Sequence, residues 1–162
     1  MSDADGPYPF DAGVVALAHA ETPVQESALE YVREAIAGDI DATVPRPAAL
    51  GAHHVLRNHL GYSNREASTL LQSFLRASRI HWYEGLSESL VRDGLSRAGA
   101  VNVEGWDGYY AQVAIEEGVT AVLTIDEDLA RFEQFETEVI LSAEEFGQLN
   151  RFLDDDSNPT AP

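Results

Sequence analysis

The segment AVLTIDEDLARF (residues 121–132) runs from a short apolar stretch straight into three consecutive acids, Asp126, Glu127 and Asp128. Two further acids have a comparable setting. Asp11 directly follows the apolar YPF, and Asp107 stands after VNVEGW at the start of a helical stretch. In open parallel α/β sheets, ligands bind beyond the carboxyl ends of the strands, so acids placed just after strands are the ones able to meet. Carboxylates gathered in one pocket repel and raise each other's pKa unless a cation shares them. Such hard oxygen donors suit Mg²⁺ or Mn²⁺, which combine one or two protein carboxylates with waters and substrate phosphates. The corresponding chemistry is metal-assisted hydrolysis of a phosphodiester. Each acid alone also has a plainer reading: Asp11 as an N-cap, Asp107 as a charge favoured at a helix N-terminus, Asp126 as the cap of a turn.

Acids are common in this chain, which weakens any single one as a signal. Among 162 residues, Asp and Glu number 28 against 10 basic residues, for a net charge of −18. All ten basic residues are Arg, and neither Lys nor Cys occurs. A surface so charged repels itself and nucleic acid at low salt. It is tolerable in molar salt, where the Debye length falls to roughly 3 Å. The composition therefore resembles proteins of salt-accumulating haloarchaea. Without Cys, disulfides, thiolate zinc sites and thiol redox chemistry are excluded. The opening MSDADGPYPF lacks the basic and apolar regions of a secretory signal, and no run of about 18 apolar residues occurs. A cytoplasmic protein with no membrane span is expected.

The elements that must position the acids alternate between short apolar runs and helical stretches, which predicts an α/β/α sandwich around a mostly parallel sheet. Strands are expected at YPF, at 40–44, at 79–84, at TAVLTI and at TEVILS. Capping boxes are expected at Thr22–Gln25, Ser63–Glu66 and Ser142–Glu145, with helix stops at Gly38, Gly61, Gly99 and Gly118. Residues 1–6 are expected to be flexible, 7–153 to form one domain, and the acidic DDDSNPTAP tail (154–162) to be disordered.

In order and spacing, FDAGVVALAHA, TVPRPAALGAHHVL and WDGYYAQVAIEEGVTAVLTIDEDL resemble the PIN-domain family, which includes VapC-type toxins of toxin–antitoxin pairs. The resemblance covers roughly Pro9 to Phe146, and its most specific part is Asp107 with Asp126 nineteen residues on, inside TIDED. It implies a three-layer fold, a Mg²⁺ or Mn²⁺ site and endoribonuclease activity on RNA, with an antitoxin partner and a homodimer. By that pattern Asp11, Asp107 and Asp126 would bind the metal and carry catalysis. Asp128 would be an outer acid of the same pocket, and Thr124 would support Asp126 through its hydroxyl. Glu127 is left as a solvated surface charge.

The chain departs from the family pattern where a Glu should open the third helix, since Gly51 stands there and no acid lies from Pro45 to His59. His54, three residues on, is a substitute ligand on the same helical face, although His53, His54 and His59 also read as plain polar helix residues. Pro7 and Pro9 imply a first strand that is shortened or paired on one side only. Arg46 and Arg57 are candidate substrate contacts, with pairing to neighbouring acids as the plainer reading. Tyr109 or Tyr110 is placed to stack on a base, with packing as the alternative. A second function remains open: a degenerate PIN domain acting as a protein or RNA interaction module because of Gly51. A receiver- or phosphatase-like module lacks support, because no Lys is present to act as its cation.

Overall fold

The computed structural model describes residues 7–157. Strands β1 (Tyr8–Pro9), β2 (Ala42–Pro45) and β3 (His81–Tyr83) form one parallel sheet in the order β1-β2-β3, and β4 (Ala121–Thr124) pairs in parallel with β5 (Glu136–Val139). A parallel bridge between Phe10 and Leu123 joins the two, so the strands lie in the order 3-2-1-4-5. Every residue of β2 and β4 is buried, as expected of parallel strands covered on both faces.

The weak junction between β1 and β4 follows from Pro9. Tyr8 and Phe10 donate to the Asp41 and Thr43 carbonyls of the β2 side, at 2.7 and 3.1 Å. The intervening residue faces β4, and there proline has no N–H to donate. Only the Phe10 bridge and a long Asp11 N–H to Leu123 carbonyl contact of 3.4 Å remain. Pairing of β1 along its length is thus one-sided.

Helices α1 (Ala12–Ala18), α2 (Gln25–Ala37), α3 (Pro47–Asn58), α4 (Asn64–Phe74), α5 (Glu88–Val101), α6 (Gly105–Glu116) and α7 (Ala143–Ser157) complete a three-layer α/β/α sandwich. The α1 helix packs on α2 and α3, α3 on α4, and α5 on α6. Phe10, Leu17, Leu56, Leu123 and Leu129 are wholly buried at the centre.

Two expected capping boxes are present with both reciprocal bonds: Ser63 with Glu66, at 3.0 and 3.1 Å, and Ser142 with Glu145, both at 3.1 Å. Glu145 also accepts from Ser27, tying α7 to α2. The third differs. The Thr22 hydroxyl accepts from Val24 N–H at 3.3 Å and closes a turn, so α2 begins two residues later than expected. The α5 helix runs through Gly99 and stops at Asn102, which takes the left-handed conformation (φ 59°) that Asn tolerates. The α7 helix continues to Ser157, past the boundary expected at 153; residues 1–6 and the rest of the tail lie outside the described residues. Among the described residues no helix is long and apolar enough to cross a membrane.

Close α5–α6 packing depends on Gly108. A Cβ there would stand 2.0 Å from the Gly94 carbonyl oxygen and 2.7 Å from the Ala98 side chain. Because Asp107 precedes this glycine, the helix contact also fixes where that acid points.

Candidate metal centre

The strand order reverses between β1 and β4, and in such sheets the crevice at the reversal is the natural ligand site. Asp11 leaves β1 there, and Asp126 leaves β4. Asp11 is the N-cap of α1: its Oδ1 accepts from Val14 N–H at 2.9 Å, while its Oδ2 accepts from the Thr124 hydroxyl. That hydroxyl also accepts from Asp126 N–H at 3.0 Å. Thr124 is therefore a clasp between the two strand ends. Its hydroxyl supports Asp126 through the backbone N–H, in line with the expectation, and in addition holds the Asp11 carboxylate. Asp126 caps the 3₁₀ turn Glu127–Arg131 by accepting from Asp128 N–H at 2.9 Å. The capping roles anticipated for Asp11 and Asp126 are thus both real, and neither uses up the carboxylate lone pairs.

Asp107 enters from the first turn of α6 and is 9% exposed. One carboxylate oxygen each from Asp107, Asp126 and Asp128 lie within 4.8 Å of one another, a group that could hold a metal ion. Asp128 is a full member of this triple, whereas Asp11 stands beside it, held by Val14 and Thr124. Burial, followed by the charges of Asp126, Asp11, Asp128 and Glu104, raises the Asp107 pKa from 3.8 to about 7. Burial likewise raises Asp11 to about 6, with Asp126 adding to the rise against the Thr124 and Val14 hydrogen bonds. Arg131, 4.0 Å from Asp128, is the countercharge recorded at this group; Asp107 and Asp11 keep raised pKa values beside it, as acids that share a cation would without one bound. An open hollow of about 540 Å³, lined by Ile125, Asp126, Glu127, Asp128, Phe146 and Asn150, adjoins them.

Other candidate residues lie elsewhere. His54 is exposed, its Nδ1 paired with the Asn58 side chain at 3.1 Å and its ring against His59. Among the described residues no histidine joins the acidic group. Arg46 donates to Glu84 at 2.8 Å and lies over the Trp82 ring, and Arg57 is exposed on the last turn of α3. The cation beside the acids is Arg131, 4.0 Å from Asp128, whose guanidinium also donates to the Val101 and Asn102 carbonyls. Arg131 is one of four arginines, with Arg46, Arg57 and Arg65, that flank the proposed pocket in sequence.

Tyr109 and Tyr110 are both 5% exposed, so neither offers a free face to a base; the exposed ring of this turn is Trp106, at 45%. Trp106 stacks on Tyr110 at 5.9 Å. Tyr109 donates to the Gly85 carbonyl at 2.9 Å. The Tyr110 hydroxyl is buried with no hydrogen-bond partner of normal geometry. Burial, with the Asp11 charge next, pushes this phenol far above its ordinary range. Gly51 lies at the same spot: a Cβ there would stand 2.9 Å from the Ala12 Cβ and 3.5 Å from the Tyr110 oxygen.

No protein-family model and no curated protein matches the chain. Solved structures do. A structure of FitAcB from Neisseria gonorrhoeae is similar at 14% identity over 80% of this chain and 95% of that one, with a TM-score of 0.53. PAE2754 from Pyrobaculum aerophilum is similar at 19% identity over 90% of this chain and 95% of that one, with a TM-score of 0.54. At such identities the likeness is one of fold, and it bears out the three-layer PIN-like sandwich.

Proposed function

We propose that this chain is a divalent-metal-dependent ribonuclease of PIN type that hydrolyses RNA phosphodiesters as the toxin of a toxin–antitoxin pair. The observation that carries this reading is the meeting of Asp107, Asp126 and Asp128 within 4.8 Å at the point where strand order reverses. The donors fit the group implied: three carboxylates and no thiolate or imidazole are a hard oxygen set for Mg²⁺ or Mn²⁺. When bound, such an ion supplies an activated water and charge stabilisation at the leaving oxygen. Asp107, Asp126 and Asp128 would hold it. Asp11, fixed by Thr124 and the Val14 N–H, keeps a lone pair on each oxygen and accepts a proton from water at the edge of the triple. The chain carries −18, so RNA affinity rests on the bridging cation and on shape more than on basic contacts. The antitoxin partner and the homodimer are part of this reading through the family resemblance.

Mn²⁺ binding and RNA cleavage, measured in molar KCl for wild type and Asp126→Asn, test it. Cleavage and binding lost together in the variant support the nuclease. Wild-type protein that binds no Mn²⁺ removes the carboxylate-site argument. The second reading, an interaction module without catalysis, is favoured by Gly51, where the family's carboxylate is absent and a Cβ would meet Ala12 at 2.9 Å. Wild type that binds Mn²⁺ but leaves RNA intact would select that reading.

A further inference from the structure

The Tyr110 hydroxyl is the polar group at this site that the nuclease reading leaves unused. It lies on α6 one turn after Asp107, on a side chain 5% exposed, and has no hydrogen-bond partner of normal geometry. Buried hydroxyls nearly always have a partner, so one without is a place where a water or ligand oxygen belongs. The groups acting on this hydroxyl are the Asp11 charge, the Ala12 backbone N–H, Tyr109 and Asp107, so its oxygen faces the Ala12 N–H while its O–H is left to donate. Its oxygen would lie 3.5 Å from a Cβ on Gly51. A longer side chain at position 51 would thus meet the phenol.

We propose that Tyr110 completes the cation site in place of a carboxylate at position 51, its hydroxyl donating a hydrogen bond to a water in the shell of the bound divalent ion. Tyr110 is then a positioning residue. Mg²⁺ and Mn²⁺ retain several waters when held by a few carboxylates, and those waters need acceptors and donors around them. A phenol differs from a carboxylate in two ways. It adds no negative charge to a group already crowded with acids, and it orients a water by donation as well as acceptance. It also leaves Gly51 free to lie against Ala12, where no Cβ fits without a shift.

The inference rests on the reading of Asp107, Asp126 and Asp128 as a cation site, and the test separates the two. Mn²⁺ affinity is measured by calorimetry on the full chain in molar KCl for wild type, Tyr110→Phe and Asp126→Asn, together with metal-free melting temperatures. Tyr110→Phe is expected to weaken Mn²⁺ binding about 10-fold, the usual effect of removing a group that orients a metal's ligands. Its metal-free melting temperature should be nearly unchanged, because the hydroxyl makes no fully formed hydrogen bond in the metal-free fold beyond the weak approach of the Ala12 N–H. Wild-type Mn²⁺ affinity in Tyr110→Phe overturns the proposal. So does a lower metal-free melting temperature, which would mark an ordinary structural hydrogen bond. If Asp126→Asn binds Mn²⁺ as well as wild type, the cation site itself is wrong and the role of Tyr110 falls with it.

Discussion

Replacing Asp107 with Asn should stabilise the metal-free protein, and by an amount that depends on pH. Asp107 is raised from 3.8 to about 7 by burial and by the neighbouring acids. A carboxyl whose folded pKa exceeds its unfolded value binds its proton more tightly in the folded state. Its favourable contribution is therefore complete below about 4 and is lost progressively as pH climbs to about 7. Asn has nothing to lose over that window. The gap between 3.8 and about 7, at about 1.4 kcal/mol per factor of ten in proton affinity, sets a ceiling on the order of 4 kcal/mol above pH 7. Structural relaxation and salt will lower it, and half of that ceiling is a fair expectation. For a domain of this size about 1 kcal/mol shifts the melting temperature by roughly 2–4 °C, so Asp107→Asn should melt several degrees above wild type at pH 8.

The assay is thermal melting by circular dichroism in molar KCl with chelator, at pH 4, 6 and 8. The advantage of the variant should be small at pH 4, grow through pH 6 and level off near pH 8. Saturating Mn²⁺ should then narrow or reverse the order, since an ion bound only by the folded state at 100 times its Kd adds about 2.7 kcal/mol, and the variant lacks one of the three carboxylates. A variant that melts at or below wild type at pH 8, or whose advantage is the same at all three pH values, would refute the argument that these acids are held together against their own repulsion.

Three other substitutions probe the framework. Thr124→Val keeps the shape but leaves the Asp11 carboxylate and the Asp126 N–H without the hydroxyl that joins them; a loss of about 2 kcal/mol in urea denaturation is expected. Gly108→Ala puts a Cβ 2.0 Å from the Gly94 carbonyl oxygen, and should cost about 3 kcal/mol or prevent folding, as read from soluble yield and melting temperature. Gly51→Glu should destabilise by about 1–3 kcal/mol, because its Cβ meets the Ala12 Cβ at 2.9 Å. Adding Ala12→Gly should recover much of that loss, and equal melting temperatures for the single and double variants would count against the packing argument.

The acids themselves were legible in the sequence because each stands where periodicity changes: an apolar run ends, an acid appears, and a helical pattern begins. What could not be read was the division of labour among them. Thr124 lies two residues before Asp126, so its hydroxyl was assigned to that residue, but the crossover places Asp11 against it from 113 positions away. A contact at that separation depends on strand order, which no local pattern encodes. Asp128 was read as an outer acid of the same pocket, and a 3₁₀ turn brings it back beside Asp126 and into the group with Asp107. Helix limits failed for a different reason. Thr22 and Gly99 carry the right local chemistry, yet a turn at the first and continued packing of α5 on α6 at the second outweigh propensity. Pro9 is the opposite case: a missing N–H implied a strand either shortened or paired on one side, and β1 is both two residues long and bonded chiefly to β2.

The acidic composition raises a question on which the geometry bears. If 28 acids are an adaptation of the surface, a cluster of three of them could be no more than surface. Salt distinguishes the two. At molar ionic strength the Debye length is roughly 3 Å, so exposed carboxylates scattered over the molecule hardly affect one another. Asp107 is 9% exposed, whereas Asp126 is exposed and Asp128 half-buried, and all three lie inside 4.8 Å of one another. Dissolved monovalent salt therefore relieves the scattered surface charge more fully than the charge on the buried Asp107. A divalent ion bound within the triple would relieve both the repulsion and the raised pKa of Asp107 and Asp11. On that argument the absence of a carboxylate at Gly51 does not by itself speak against a metal site. It lowers the number of like charges that one cation must balance, and it leaves room for a neutral donor at the same place.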